Sequence, residues 1–241
     1  MKDDKDAAVI VKLEGVTRVF RQGKIEVQAL RGVDLEIEKG EFTAIIGPSG
    51  SGKTTTLNII GALDDPTSGK VFLEGRLLNE LRRGQLSVIR RDRIGFVFQA
   101  YNLIPVLTAY ENAEMVLALK GAPKAERRKK VMELLAAVGL EGMEHRRPDE
   151  LSGGQQQRVA IARAIATNPA VVLADEPTAN VDSETAEKLL TIMEKLNLEH
   201  GVTFIFSTHD PRVMARARRI IHMVDGRVDR DERRDATGDR A

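Results

Sequence analysis

The sequence predicts an α/β fold: a mostly parallel sheet, an antiparallel β flank and an inserted α-helical lobe. Three observations predict it. First, "FTAIIG", "VVLAD" and "TFIFST" are continuous apolar runs of strand length, the pattern of strands buried on both faces. Second, helical periodicity alternates with such runs. In "SETAEKLLTIMEKLNLEHG", Leu189, Ile192, Met193 and Leu196 share one face. Third, the stretch from about Leu107 to about Glu150 offers helices and no convincing strand.

Residues 1–8, "MKDDKDAA", are charged and expected to be mobile. "VIVKLEGVTRVF" and "ALRGVDLEIEKG" alternate partially and read as the antiparallel flank. "FTAII" is a buried strand that runs through a glycine-rich turn into the helix "TTTLNIIGAL". "TAYENAEMVLALKG" and "PKAERRKKVMELLAAVGL" read as helices, the second with Pro123 near its first turn. They place the helical lobe at about residues 100–165, inside one domain spanning residues 9–228. "LSGGQQQRVAIARA" starts a further helix, with Ser152 and Gln155 spaced as a capping box. That spacing leaves Gly153 and Gly154 unexplained. The helix after Asp182 closes at Gly201. The charged residues 229–241 are expected to form a mobile tail.

Bulk composition narrows the function. The chain has 241 residues, 42% hydrophobic and 30% charged, which suits a globular protein with a sizeable core. A net charge of +1 gives no reason to expect a nucleic-acid partner. There is no cysteine, and the 4 histidines show no metal-binding spacing. No apolar run approaches the roughly 20 residues that cross a bilayer, and the N-terminus is unlike a signal peptide. The expectation is a cytoplasmic protein whose membrane role, if any, comes through a partner.

The chemistry is concentrated in two places. "GPSGSGKT" matches G-x-x-x-x-G-K-[ST], and it lies between a buried strand and a helix, as that motif requires. Gly47, Pro48, Ser49, Gly50, Ser51, Gly52, Lys53, Thr54 and Thr55 are therefore candidate nucleotide contacts. Glycines let the backbone wrap tightly, so that N–H groups and the helix N-terminus converge on phosphate oxygens. Lys53 would reach the β- and γ-phosphates and Thr54 would ligate Mg²⁺, which predicts a P-loop NTPase core with ATP and Mg²⁺ as cofactors. "VVLADE" supplies the second part. Asp175 ends a buried strand as an acceptor for metal-bound water, and Glu176 can orient and deprotonate the attacking water.

With these motifs the chain resembles the nucleotide-binding subunits of ABC transporters, from about Val9 to about Val228. "LSGGQ" is that family's signature, and here it falls between the phosphate loop and the Asp-Glu strand. "ALRGVDLEI", "IGFVFQAYNLIP" and "DEPTANVDS" look most like the lipoprotein-release and macrolide-export (LolD-type and MacB-type) branch. The resemblance implies further roles. Phe20 stacks on adenine, and Gln99 is the Q-loop glutamine that touches magnesium and water and links the helical lobe to the site. Pro177 belongs to the turn after the base, Asp182 is the D-loop aspartate and also a possible helix N-cap, and His209 contacts the γ-phosphate. It implies a head-to-tail homodimer in which Ser152, Gly153, Gly154 and Gln155 cover the ATP of the other chain. It also implies a transmembrane permease partner docked near Gln99–Leu107, with Tyr101, Leu103, Ile104 and Leu107 either as anchors or as lobe core. The expected location is the inner face of the cell membrane. Relatives that act on DNA or ribosomes fit less well, because the chain has a single cassette, no long heptad insertion and little net charge. An ATPase of a mechanotransmission or cell-division complex that moves no cargo is the alternative.

Overall fold

Alternation in the first third of the chain builds an antiparallel sheet. The computed structural model describes residues 9–23 and 25–234. In it, β1 (Val9–Gln22) and β2 (Ile25–Glu38) form a long hairpin. Leu13 faces Leu35 in one half, and Phe20 faces Val27 near the turn. β3 (Phe42–Ile46) leaves for a second sheet and leads into α1 (Lys53–Ile60). β4 (Ser68–Leu73) and β5 (Arg76–Leu77) then return, giving the order β2-β1-β4-β5.

The second sheet takes the continuous apolar runs. After α2 (Arg83–Arg93), β6 (Ile94–Phe98) enters it as an edge strand. Three helices follow before the next strand: α3 (Ala109–Leu119), α4 (Lys124–Ala137) and α5 (Gly153–Ile165). Thr108 caps α3 in a box with Glu111, and Pro123 sits at the N-cap of α4. β7 (Val171–Asp175), α6 (Ser183–His200), β8 (Thr203–Ser207), α7 (Pro211–Arg216), β9 (Arg219–Val224) and β10 (Arg227–Arg233) complete the described chain. The strand order is β10-β9-β3-β8-β7-β6. Neighbours run parallel except β10, which lies antiparallel to β9. The lobe is thus inserted between β6 and β7, two strands that pair directly.

Period-two alternation explains why these strands contain no polar face. Phe204 and Phe206 of β8 join the core built with α3–α6, while Ile205 between them joins the core under the hairpin and α1. Phe42 and Phe206 pack with ring centroids 4.6 Å apart. Burial on both faces makes this sheet the rigid platform from which the loops project.

Two expectations about the ends need restating. Residues 229–233, expected to belong to a mobile tail, are strand instead, because Arg227–Arg233 pair with β9. Their charges lie along an edge strand and are paired there: Asp231 accepts from Arg219, and Arg233 donates to Glu38. Paired charges remove the repulsion that made the segment look unable to fold. Residues 1–8 and 235–241 lie outside the described residues.

Register positions the chemistry. Ile45, Ser207, Asp175 and Phe98 form one row across β3, β8, β7 and β6, near the carboxyl ends of the strands. Gln99, Glu176, Thr208 and His209 therefore emerge on the same edge as the loop that follows β3, where open α/β sheets bind their ligands.

Candidate functional site

The glycine-rich turn between β3 and α1 has a backbone only glycine permits. A Cβ on Gly47 would lie 2.1 Å from the carbonyl oxygen of Met223. Gly52, the N-cap of α1, has φ 100° and no side chain caps this helix. The first N–H groups of α1 therefore face the turn, as an anion site requires. Lys53 Nζ donates to Gly47 O at 2.8 Å and to Pro48 O at 3.0 Å, so its ammonium is held over the loop. Ser51 Oγ is buried inside the turn with no hydrogen-bond partner, a polar atom aimed at nothing in the chain itself. Thr54 Oγ1 donates to Asp175 Oδ1 at 3.2 Å, joining the start of α1 to the end of β7.

Glu176 forms the opposite wall. Its φ is 46°, a left-handed conformation that costs a non-glycine residue about 1–3 kcal/mol. The carboxylate is fixed at both oxygens: Thr208 Oγ1 donates to Oε2 at 3.0 Å and His209 Nδ1 donates to Oε1 at 2.6 Å. Its N–H donates to Ser207 O at 2.9 Å. Between the phosphate loop and Glu176 lies a cleft of about 550 Å³. Its walls include Gly47–Gly50, Gly52–Thr55, Gln99, Glu176, Ala179, Ser207 and His209. A larger cavity of about 870 Å³ opens among the opposite ends of the strands, beside Ala170 and Val202, and contains none of the phosphate-loop residues.

Thr208 and Ser207 were not singled out in the sequence. Thr208 orients the carboxylate, and Ser207 lines the cleft with its buried Oγ unpaired. The signal was adjacency: both precede His209 in "STHD". Asp210, next in line, locks the two halves of this edge together by accepting from Thr178 Oγ1 at 2.6 Å and from the Arg212 guanidinium at 2.8 Å. Burial would raise its carboxyl, but the hydrogen bonds from Arg212 and Thr178 outweigh this and bring it down to about 2. The folded value lies below the ordinary carboxylate value of about 3.9. The stabilisation is therefore present above that pH and lost as pH falls toward 2. Asp210→Asn is expected to cost about 2 kcal/mol at pH 7. The gap in urea midpoint from wild type should narrow between pH 7 and pH 3, and an equal gap at both would remove the carboxylate from this role.

The remaining predicted residues lie outside the cleft of their own chain. Ser152 and Gln155 do form the capping box of α5: Gln155 N donates to Ser152 Oγ at 3.3 Å and Ser152 N to Gln155 Oε1 at 2.9 Å. The glycines between them have packing reasons. A Cβ on Gly154 would come 2.2 Å from Thr185 Cγ2, and one on Gly153 would come 2.7 Å from the Tyr101 hydroxyl. Asp182 caps α6 through Thr185 N at 2.9 Å. The Pro177 carbonyl accepts from Gln157 Nε2 at 2.6 Å. Phe20 is 40% exposed on β1, with the Arg18 guanidinium 4.5 Å over its ring, so it is not a core phenylalanine. Tyr101 and Leu103 turn inward, the first donating to Asn180 O and the second packing on the lobe core.

A phosphate-binding turn facing an Asp-Glu strand end across the edge of a parallel sheet defines a P-loop nucleoside triphosphatase. The family can be named as well. Residues 30–179 match the model of the family described as "ABC transporter". The chain is 50% identical over 228 residues to the uncharacterized ABC transporter ATP-binding protein MJ0796 of Methanocaldococcus jannaschii, covering 93% of this chain and 97% of that one. It is 47% identical to the macrolide export ATP-binding/permease protein MacB of Hyphomonas neptunium, over 91% of this chain but 34% of MacB. It therefore spans about a third of such relatives. The dimeric structure of MJ0796 in a post-hydrolysis state bound to ADP and Pi superposes with a TM-score of 0.86 at 50% identity, over 93% of this chain and 98% of that one. This chain belongs to the ABC transporter family and is an ATP-binding, ATP-hydrolysing cassette.

Proposed function

We propose that the cassette drives an exporter-like membrane complex as a head-to-tail homodimer that encloses two ATP molecules. One observation carries this reading. The phosphate loop, Gln99, Glu176 and His209 share one cleft, while Ser152, Gly153, Gly154 and Gln155 lie outside it. In this arrangement a second copy brings its α5 N-terminus to the open side of that cleft, and the dimeric structures of MJ0796 support a dimer. Lys53 and the N–H groups of α1 hold the phosphates, and the exposed ring of Phe20 stacks on the adenine. Glu176, oriented by Thr208 and His209, takes the proton of the attacking water. Thr54, Asp175 and Gln99 are the residues that would hold Mg²⁺, which when bound neutralises phosphate charge. A hydroxyl and one carboxylate at 3.2 Å suit an ion that keeps water and phosphate ligands. Among the described residues no group of three or more metal-ligating side chains offers a full protein cage.

The work leaves through a membrane partner. Among the described residues no helix is long and apolar enough to cross a membrane. The MacB relatives carry ATP-binding and permease parts in one chain, which supports a permease partner at the inner face of the membrane. Its docking site is the groove of about 380 Å³ between α2, β6 and the lobe, walled by Leu63, Phe98, Val116 and Leu119. Leu63 and Leu119 are 48% and 65% exposed, which suits a covered surface better than the inward-turned Tyr101 and Leu103. Ile104 and Leu107, half-buried beside them, take at most the edge of the contact. Leu119→Asp is expected to abolish co-purification of the permease from detergent extracts while leaving ATP binding within about twofold. Undiminished co-purification would move the docking site elsewhere, and recovery of a ribosome or DNA complex instead would overturn the transport reading.

A further inference from the structure

Gln99 is gripped by a residue that no motif singled out. Asn180, in the loop between β7 and α6, donates from Nδ2 to Gln99 O at 3.0 Å and accepts from Gln99 Nε2 at 3.4 Å. Tyr101 holds Asn180 in turn, its hydroxyl donating to Asn180 O at 3.0 Å.

Tyr101 itself sits in an unfavourable turn. Tyr101 and Asn102 have φ of 57° and 50°, and adjacent left-handed non-glycine residues persist only where their surroundings hold them. Arg163 of α5 does so: its guanidinium donates to Asn102 O at 2.6 Å and to Tyr101 O at 3.0 Å. Gly153, the first residue of the same helix, lies against the Tyr101 hydroxyl so closely that a Cβ would come 2.7 Å from it. One tyrosine therefore touches the loop carrying Gln99, the loop before α6 and the start of the helix carrying the signature.

We propose that Asn180 and Tyr101 are positioning residues for Gln99, and that Arg163 and Gly153 hold Tyr101 in the place from which it does this. The inference rests on the proposed role of Gln99 in the hydrolysis site.

A double-mutant cycle on the 241-residue chain tests this. Tyr101→Phe removes only the hydroxyl. It is expected to lower kcat about fivefold, the effect of one lost hydrogen bond, with KM for ATP within about twofold. In a Gln99→Ala background the same substitution should change kcat by less than about 1.5-fold. Asn180→Ala should behave in the same way with a larger first effect, about tenfold. If Tyr101→Phe slows both backgrounds by the same factor, it acts on the fold and not through Gln99, and the proposal falls. An unchanged kcat for Tyr101→Phe in the otherwise wild-type chain overturns it too. If Gln99→Ala itself turns over at the wild-type rate, the reading of Gln99 at the hydrolysis site fails first, and the positioning role of Tyr101 and Asn180 falls with it.

Discussion

Glu176→Gln is expected to lower ATP turnover about 10³-fold, the loss of a general base, while ATP affinity stays within about twofold. The substitution is clean for a structural reason. Glu176 has φ 46°, and Glu and Gln bear that backbone cost alike, so stability should hardly change. Of the two bonds at the carboxylate, from Thr208 at 3.0 Å and His209 at 2.6 Å, the amide can still accept one. What it cannot do is take a proton from water. A dimer closed by ATP should therefore persist, visible as an ATP-dependent, ADP-independent shift in size-exclusion chromatography. Turnover at the wild-type rate would remove Glu176 from its role as base.

Ser152→Arg is expected to cut hydrolysis about 100-fold or more by keeping two chains apart. Within one chain the change is mild. Ser152 is exposed, and losing its cap on Gln155 N costs about 1 kcal/mol. Nucleotide binding should survive, because Ser152 lies outside the cleft of its own chain. Combined with Glu176→Gln, the arginine should erase the ATP-dependent dimer peak, which separates lost assembly from lost chemistry. Normal hydrolysis by Ser152→Arg would leave the serine as a helix cap and nothing more.

The site was more legible in the sequence than parts of the fold. "GPSGSGKT" and "VVLADE" carry their chemistry in fixed local spacing, because a glycine turn and a strand end are built from neighbouring residues. The buried strands β3, β7 and β8 could be read because burial on both faces leaves unbroken apolar runs. α2 could not, since "RGQLSVIRRDR" is almost wholly polar and buries Ile89 alone. β10 was hidden by charges that look disordering until Arg219 and Glu38 are placed beside them.

The sequence by itself determined the phosphate loop, the acid pair and the kinship, since each is a local pattern of residue types. Tertiary structure alone decided which distant side chains share an oxygen or a proton. It set Thr208 and His209 on the two oxygens of Glu176 and turned Tyr101 inward toward Asn180. It also decided why Gly153 and Gly154 are glycines even in an isolated chain, with Tyr101 and Thr185 pressed against them. The physical reason is range. Backbone preference and hydrophobic period act over a few residues, whereas these contacts join strand ends brought side by side only when the sheet is assembled.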